Sequence, residues 1–517
     1  MNKRALIGIT LSLALVSVPG IFAGGGTDRG SSREGTAGGT SAGGTGGRVE
    51  GGQLRLGSTT EPVTLDPLNP SNTADGRSIL FNVFEGLVKP APDGSFIPAV
   101  AEKYAIEQNG LVYAFTLRRG LRFHNGSPVT AEDVEFSLNT AIAGGFSGLD
   151  RIEKVAIEPG GGIRVTLKAP DIDYLPYLTV GIVPKSNADR ERNPVGTGPF
   201  SISSYTAQQS LVLVKNRGYW QPELPHLDQV TVIFVADSDS LLLSLQGGNI
   251  DSASISGSLL QQLDTSRFDY VPSYSNAVQL LALNNAVKPL DDIRVRQALN
   301  YGVDAQQIID AAFYGQGEPS GSPLIPGLSR YYEASLKNSY PLDTVRARSL
   351  LASAGYENGF SLEITVASPY VMHVDTAQVI VNQLAKIGVT ATIKLVDWAT
   401  WLQEVYFGRH YQATIISVDA PQVSPDGFLS RYRSDSEVNF INFKSPAFDK
   451  VYDAARTEAD DSVRIRLFKE AQRIVSEEAA SVYIQDILGF RAFVKGYAGA
   501  ISYPLYVFDL STIYKTK

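Results

Sequence analysis

The side chains that most often carry catalysis are few or widely spaced in this chain. It has no cysteine, which excludes a thiol nucleophile, a disulfide framework and a thiolate zinc site. Its four histidines, His124, His226, His373 and His410, lie far apart, and none has the HExxH or HxH spacing of a metal site. The sequence contains no GxSxG elbow for a serine nucleophile and no GxxxxGK(S/T) phosphate loop. We therefore expect no metal ion and no cofactor.

A pair of carboxylates is the one catalytic arrangement that the sequence leaves open. Aspartate and glutamate number 53 together, and acid–base pairs have no fixed spacing along a chain. Nothing distinguishes one such pair from the rest. The expectation is therefore a protein that binds a molecule and is not an enzyme.

The elements that would have to position a binding site alternate between strand and helix. Thr130 and Asp133 form a capping box at the start of one helix, and Asp343 caps another that Gly355 ends. Further helices are expected over 375–387 and 461–479. Seven strands are expected from short apolar and alternating runs, at 53–58, 111–118, 163–168, 211–215, 230–236, 362–367 and 389–396. The helix–strand alternation favours an open α/β sheet, and the Pro- and Gly-rich stretch 315–327 is expected to be an irregular loop.

Length and composition describe a globular body of several units. At 517 residues the chain has room for about three ordinary domains. Apolar residues make up 43% and charged residues 19%, as in globular proteins. The net charge is −8 at neutral pH, and this acidity argues against a nucleic-acid partner.

The first 52 residues have the pattern of an export signal followed by a flexible linker. Lys3 and Arg4 precede an apolar run, and Ala23 offers a small residue for cleavage, as in a secretory signal peptide. We expect residues 1–23 to be removed, with an uncleaved signal anchor as the alternative. Residues 24–52 are mostly small and polar, so they bury too little apolar surface to fold. We expect a periplasmic or otherwise extracytoplasmic protein, not a lipoprotein anchored through cysteine.

Six groups of residues resemble, in order along the chain, one family: the extracellular solute-binding proteins of the peptide/nickel class, family 5, which serve ABC importers. The most recognisable stretch is PAVAE, YAFTLR, FHNG and PVTAEDV. The six groups lie at 98–134; at 195–200 (VGTGPF) with Asn216, Tyr219 and Trp220; at 245–251 (LQGGNID); at 283–304, with LNN and DIRVRQAL; at 347–360; and at 448–484, with Arg464, Gln472 and Ile484. A single motif of this kind is weak, but six in register identify the chain as a member.

The resemblance implies an α/β, two-lobed periplasmic-binding-protein fold of class II type, with an inserted subdomain and a hinge between the lobes. The hinge strands are expected near 283–285 and 483–487. The expected division is 1–23 signal peptide, 24–52 linker, 53–88 with 194–283 and 488–517 as the first lobe, 89–193 as the inserted subdomain, and 284–487 as the second lobe.

Two tryptophans are candidates for ligand binding under this resemblance. The segment 396–401 (VDWATW) is similar to a family segment that borders the cleft. Trp398 and Trp401 are therefore candidates to stack on a solute. The alternative is that they pack a helix onto the second lobe.

Two acidic residues are the other candidates. Peptide-binding members of the family anchor the free amine with an aspartate four residues before the proline of an Asp-Pro pair. Aligned on Pro425, that position is Pro421 in this chain, and Ser424 replaces the aspartate of the pair. Asp419 and Asp426 lie close by in the sequence, and a loop shift would let Asp419 pair with an ammonium group.

The implied function is capture of a solute by hinge closure and its delivery to a membrane permease with its ATPase subunits. We expect the solute to be an oligopeptide or a dipeptide-like molecule, and the protein to be a monomer. Two alternatives stay open from the sequence. One is the same scaffold binding an oligosaccharide or another small solute, and the other is a periplasmic enzyme or a chaperone-like binder.

Overall fold

The computed structural model describes residues 47–420, 424–503 and 507–517. The expected signal peptide, most of the linker and Pro421 lie outside the described residues. The end of the expected linker is not an unstructured spacer, because Arg48–Val49 form a strand that pairs with Tyr514–Thr516. The strands are β1 Arg48–Val49, β2 Gln53–Ser58, β3 Val88–Pro90, β4 Phe96–Pro98, β5 Ala101–Glu107, β6 Val112–Leu117, β7 Ile152–Ile157, β8 Ile163–Leu167, β9 Phe200–Thr206, β10 Ser210–Lys215, β11 Gln229–Phe234, β12 Ser252–Ser256, β13 Phe268–Leu283, β14 Gly317–Pro319, β15 Phe360–Ala367, β16 Val389–Val396, β17 Ala413–Asp419, β18 Ser481–Val494, β19 Tyr497–Ala498 and β20 Tyr514–Thr516.

The helices lie between strands along the chain. The α-helices are α1 Ala74–Leu80, α2 Ala131–Ala143, α3 Ser238–Gln246, α4 Gly257–Leu260, α5 Ile293–Gly302, α6 Ala305–Ala312, α7 Thr344–Ser353, α8 Val371–Ala385, α9 Trp398–Thr400, α10 Pro425–Leu429, α11 Pro446–Thr457 and α12 Asp461–Glu477. A π-helix, Trp401–Phe407, follows α9 directly. Among the described residues, none of these helices has the length and apolar character needed to cross a bilayer.

One large sheet connects the whole body. Its strand order is β16-β15-β17-β13-β18-β12-β2-β11-β10-β9, with β14 paired to β18 outside this path. A separate four-stranded sheet, β5-β6-β8-β7, is built from the segment between β4 and β9. The α/β class expected from the sequence is confirmed, and all seven expected strands are present to within a few residues of their expected ends.

The apolar core divides into two sides, which we call the first lobe and the second lobe. The first lobe contains two buried clusters. Their residues lie between Leu54 and Val271 and between Phe490 and Ile513. The second lobe contains two others, whose residues lie between Val278 and Ile484. The β5-β6-β8-β7 sheet packs into the first lobe's core, and we call the segment 89–193 the inserted subdomain.

In the part of the chain that the structure describes, strands β13 and β18 join the lobes. They pair antiparallel over most of their 16 and 14 residues. Their register shifts between Tyr274 and Val278, where the strands pass from the first lobe's core to the second's. The residues Val278–Leu283, which we expected to close the first lobe, pack in the second lobe's core.

Two features differ from the local sequence pattern. Helix α8 begins at Val371, four residues before the expected start. The sequence did not show this start because Tyr370, the residue before the helix, makes no capping hydrogen bond with its side chain. The stretch 315–327 is not wholly irregular, since β14 lies within it and pairs with β18. A three-residue strand stabilised by a distant partner leaves no periodic signal of its own.

The VGTGPF and FHNG motifs belong to the structure of the first lobe. The backbone N–H of Gly196 donates to Nδ1 of His124 at 3.2 Å, so that Nε2 carries the proton and donates to the carbonyl of Gly198 at 3.0 Å. Burial lowers the pKa of His124 to about 4, which keeps the ring neutral as this pair of bonds requires. This histidine therefore fixes a turn and does not bind a metal ion.

The Tyr-Trp motif is also structural. The carboxylate of Glu85, 3% exposed, accepts hydrogen bonds from Tyr219 Oη at 2.7 Å and from Trp220 Nε1 at 3.1 Å. Thr197 Oγ1 donates to the same carboxylate at 3.2 Å. A buried carboxylate is stable only with such donors, so these residues are required together.

Candidate functional site

The carboxyl ends of three strands meet at one edge of the second lobe's part of the sheet. Strand β15 runs parallel to β16 and to β17, so Ala367, Val396 and Asp419 end on the same side. At this edge β17 pairs with β13, and Asp419 lies opposite Ala277, one residue from the register shift. In open α/β sheets, ligands bind in the crevice outside the carboxyl ends of strands. The edge therefore lies where a cleft between the lobes would hold a solute.

Three aromatic side chains, which we call the aromatic ledge, follow the ends of β15 and β16. Trp398 stacks on Trp401 with ring centroids 5.0 Å apart and planes 5° apart. Tyr370 meets Trp398 edge to face at 5.3 Å. Asp397 caps the turn that carries Trp398, accepting from the Thr400 backbone N–H at 3.0 Å. The indole of Trp398 is thus held firmly and half-buried, with part of its surface open for stacking.

Trp401 supports this ledge from below. It is 1% exposed, and its Nε1 donates to Thr414 Oγ1 at 2.9 Å. Its ring is covered in this structure, with Trp398 stacked on one face, and a direct role for Trp401 in ligand binding stays a prediction. The alternative noted for it, packing of a helical segment onto the second lobe, describes its position.

Asp419 is half-buried at the end of β17. Its backbone carbonyl accepts a hydrogen bond from Arg431 Nη2 at 2.7 Å, which holds the end of the strand in place. The loop that follows lies partly outside the described residues. The structure thus places Asp419 at the carboxyl edge beside the joining strand β13.

Asp426 lies in the first turn of α10, and its charge is already engaged. Its Oδ1 is 3.1 Å from Arg456 Nε and accepts a hydrogen bond from the hydroxyl of Tyr452. The residue before Pro425, Ser424, caps α10 by accepting from the Gly427 N–H at 3.1 Å. Serine and aspartate are both good N-caps, so this replacement preserves the helix start.

Buried polar side chains are concentrated on the two joining strands. Gln279 of β13 donates to His373 Nδ1 at 3.0 Å and accepts from Gln485 of β18 at 2.8 Å. Ser275 donates to Asp486 at 2.7 Å. Asp486 is 0% exposed, and burial raises its pKa to about 7. Burying a polar group costs free energy unless it is hydrogen-bonded, so apolar side chains usually fill a core. The segment where β13 and β18 pass between the lobes instead buries a network of hydrogen-bonded polar side chains.

No group of metal-ligating side chains is present in the described part of the chain. His373 is 3% exposed, and burial lowers its pKa to about 4. His410 is exposed, with Nδ1 3.4 Å from Glu404 Oε2. Neither histidine stands among other ligands that would hold an ion.

Two residues of the site were missed by reasoning from the sequence. Tyr370 lies three residues after the end of the predicted strand 362–367, and the rule that ligands bind at the carboxyl ends of strands would have pointed to it. Asp486 gave no signal, because a single aspartate in an apolar run has the same appearance whether it is buried or at an exposed edge.

Comparison with known proteins identifies what the chain is similar to. A model of the bacterial extracellular solute-binding proteins, family 5 (middle), matches residues 95–440. Heme-binding protein A of Haemophilus influenzae is 28% identical over 77% of this chain and 81% of its own. The glutathione-binding protein GsiB of Salmonella typhimurium is 28% identical over 80% and 85%, and the dipeptide-binding protein of Escherichia coli K12 is 28% identical over 78% and 83%.

Solved structures share the fold. The murein tripeptide-binding protein MppA, in an unliganded open form, superposes with a TM-score of 0.82 at 21% identity over 91% of this chain and 98% of its own. HbpA2 of Haemophilus parasuis gives 0.81 at 22% identity over 90% and 100%. DppA of Helicobacter pylori, in complex with the peptide STSA, gives 0.67 at 25% identity over 91% and 99%. The described architecture is therefore the two-lobed periplasmic-binding-protein fold.

Proposed function

Because this chain belongs to family 5 of the bacterial extracellular solute-binding proteins, we propose that it captures a short peptide outside the cytoplasm and delivers it to an ABC importer. The division into lobes and inserted subdomain supports capture between the lobes, since within the described residues the chain passes from one lobe to the other along β13 and β18. The permease and ATPase subunits are the proposed partners, and the protein acts on them as a monomer. The N-terminal segment 1–23 is proposed to direct export.

The observation that carries the peptide proposal is the aromatic ledge at the same sheet edge as Asp419. A peptide offers an ammonium group, amide groups and side chains. The face of Trp398 suits a side chain, and the carboxylate of Asp419 suits the ammonium, since charge-assisted hydrogen bonds are the strong ones. Relatives named for dipeptide and for glutathione binding bind molecules of this kind.

In this proposal, the peptide binds tightly because it contacts both lobes once they have closed around it. A solute that touches both lobes stabilises the closed state by its differential affinity for that state. Micromolar binding corresponds to roughly 8 kcal/mol. Removing the polar groups of a peptide from water costs free energy unless each is paired, so the ledge and the acidic group must act together.

Calorimetric titration with dialanine, trialanine and glutathione tests the proposal. Replacement of Trp398 by alanine is expected to weaken peptide binding by roughly thirty-fold, because aromatic anchors commonly contribute about 2 kcal/mol or more. The control is Phe407→Ala, which removes an aromatic ring that is 64% exposed on the neighbouring π-helix. Equal affinities in wild type and Trp398→Ala would contradict the placement of the site.

The role of Asp419 is tested separately with N-acetylated trialanine. Asp419→Asn is expected to weaken trialanine by at least about ten-fold, the size of a charged hydrogen bond. Acetylated trialanine, which has no ammonium group, should bind wild type and variant alike. Binding of oligosaccharides or hemin, with none of these peptides bound, would move the protein to another ligand class in the same family.

A further inference from the structure

The ends of helices α5 and α12 and the start of helix α6 meet around a cavity in the second lobe. The cavity has a volume of about 240 Å³ and reaches the first residues of strand β18. Val303, Leu336 and Val482 form apolar parts of its wall, and each is at most 5% exposed. A space of this size holds several water molecules, and it therefore has room for a small organic molecule.

This cavity lies apart from the aromatic ledge. Neither the three ledge residues nor Asp419 line it. Val482 pairs with Leu281, and Leu281 pairs with Ile415 of β17. Ile415 precedes Asp419 by four residues, which is roughly 13 Å along a strand. The cavity therefore lies away from the sheet edge at which the solute is proposed to bind.

The polar side chains at the cavity give their protons to the protein's own backbone. Asn300 is 6% exposed, and its Nδ2 donates to the carbonyl of Arg296 at 3.0 Å and to that of Ser481 at 3.3 Å. Ser476, 2% exposed, donates through Oγ to the carbonyl of Gly321 at 2.8 Å. What these side chains have left to offer an occupant is oxygen lone pairs, which accept hydrogen bonds.

The amide oxygen of Asn300 is an acceptor that the protein does not use. Both protons of its Nδ2 are engaged, but within the described residues no group donates to its Oδ1. This oxygen is not closed off from solvent, as the unpaired polar atoms of the core are, and Asn300 lines the cavity. Its Oδ1 therefore faces the cavity, where a donor from an occupant would satisfy it.

The charges around the cavity favour a positive occupant. Helices α5 and α12 both end here, and the carbonyl end of a helix carries a partial negative charge. Asp304 lines the cavity and adds a carboxylate, whose Oδ1 caps α6 by accepting the Gln307 N–H at 3.2 Å. The start of α6 carries a partial positive charge, which this carboxylate offsets.

Two positive side chains in this region are already balanced. Lys337 lines the cavity, and its Nζ lies 2.9 Å from Glu318 Oε1. Arg296 does not line the cavity, and its guanidinium donates to the carbonyls of Ala479 at 3.1 Å and Glu478 at 2.9 Å. The carboxylate and the free amide oxygen therefore decide which charge the cavity prefers.

We propose that this cavity is a second binding site, which takes a small organic ammonium ion with a short apolar chain. The ammonium group donates to Asn300 Oδ1 and to the carboxylate of Asp304, as charge-assisted hydrogen bonds. The chain packs on Val303, Leu336 and Val482. This site goes beyond the proposed function and does not depend on it, because it shares no residue with the aromatic ledge.

Saturation-transfer NMR with n-butylammonium as the probe tests the site in the full chain. Butan-1-ol and butyrate have the same length, but one is neutral and the other is negative. We expect both to bind at least about ten-fold more weakly than butylammonium, because a hydrogen bond from a charged donor is stronger than one from a neutral donor. Butyrate or butan-1-ol binding as tightly as butylammonium would overturn the proposal.

The variant Asp304→Asn removes the charge and keeps the helix start, because asparagine is as good an N-cap as aspartate. It should weaken butylammonium about ten-fold. The matched control is Asp237→Asn, which makes the same change at the N-cap of α3 in the first lobe and should leave the affinity as it is. Equal affinities in wild type and Asp304→Asn would contradict the assigned position.

A second pair of variants tests the cavity by its volume. Ala305 lines the cavity at the start of α6, so Ala305→Phe should fill it and abolish butylammonium binding. Ala311→Phe adds the same ring at an exposed position of the same helix and should have no effect. Butylammonium that binds folded Ala305→Phe as it binds wild type does not occupy this cavity.

The same titration separates this site from the proposed peptide site, where Asp419 would also attract an amine. We expect Asp419→Asn and Trp398→Ala to bind butylammonium as wild type does. Loss of butylammonium in Asp419→Asn, with none in Asp304→Asn, would place the amine at the aromatic ledge and overturn the second site. Loss in Asp304→Asn alone supports the second site even if no peptide binds.

Discussion

Asp486 shows at the scale of one residue how the joining strands differ from an ordinary core. It is fully buried on β18, lies across from Glu318 of β14, and has one carboxylate oxygen with no hydrogen-bond partner in the described part of the chain. Like charges on directly opposed residues repel. Burial is the main cause that raises the Asp486 pKa to about 7, from an ordinary value near 4.

A raised pKa in the folded state makes stability depend on pH in a definite direction. The folded protein holds a proton on Asp486 that the unfolded chain releases near pH 4. The stabilising contribution is therefore fully present below pH 4 and is lost as pH rises through about 7. Between pH 5.5 and 8.5 this one group should lower the free energy of unfolding by about 2 kcal/mol.

The variant Asp486→Asn should not show that loss. Urea unfolding of wild type and variant at pH 5.5, 7.0 and 8.5 gives the difference between them, in which all other titrating groups cancel. We expect the variant to gain about 2 kcal/mol relative to wild type across this range. A pH-independent difference would mean that Asp486 is ionised in the folded state throughout.

The two tryptophans show how far a family pattern reaches at the scale of one residue. Trp398 was proposed as a ligand contact from a segment similar to one that borders the cleft, and that role stays a prediction. Trp401, three residues later, has the same side chain, but it lies beneath Trp398 and bonds Thr414. Burial of a ring depends on what packs above it, and the sequence does not carry that information locally.

The Gly-Thr-Gly turn shows how one element fixes another. A Cβ on Gly196 would clash with the carbonyl oxygen of Val83, so the turn lies directly against the segment that carries Glu85. This contact joins the motif at 195–200 to the core of the first lobe. Position 196 requires glycine because the two backbones lie so close together, and not because its backbone angles are unusual.

Replacing Gly196 by alanine should therefore destabilise the first lobe. We expect a loss of about 2–3 kcal/mol in the free energy of unfolding, the usual cost of overpacking. Gly218→Ala is the control, because its Cβ would lie 3.4 Å from the Asn216 side chain and nearer to nothing else. Thermal and urea unfolding measure both. Equal stability of the two variants would show that the turn can move away from Val83.

Whole elements were predictable where their ends are marked by local chemistry. The capping box of Thr130 and Asp133 starts α2 where expected, because both hydrogen bonds form within four residues. Strand β14 was missed, since it is held only by β18, far along the chain. The alternation of helix and strand predicted the α/β class. It did not predict that the chain passes between the lobes at Tyr274–Val278, within one continuous strand.

At the scale of the whole molecule, the account depends on the two lobes moving as bodies. Their apolar clusters are separate, and β13 and β18 carry the chain from one to the other. Closure about two strands changes few contacts inside either lobe, which suits a protein that must release what it binds. The buried polar side chains Gln279 and Asp486 lie on these two strands.

Small-angle X-ray scattering of the protein, with and without a saturating peptide that calorimetry has shown to bind, tests the central claim most directly. The account predicts a smaller radius of gyration and a shorter maximum dimension with peptide bound, while the peptide is recovered chemically intact. Superimposable scattering curves with bound peptide, or recovery of a hydrolysed product, would contradict it.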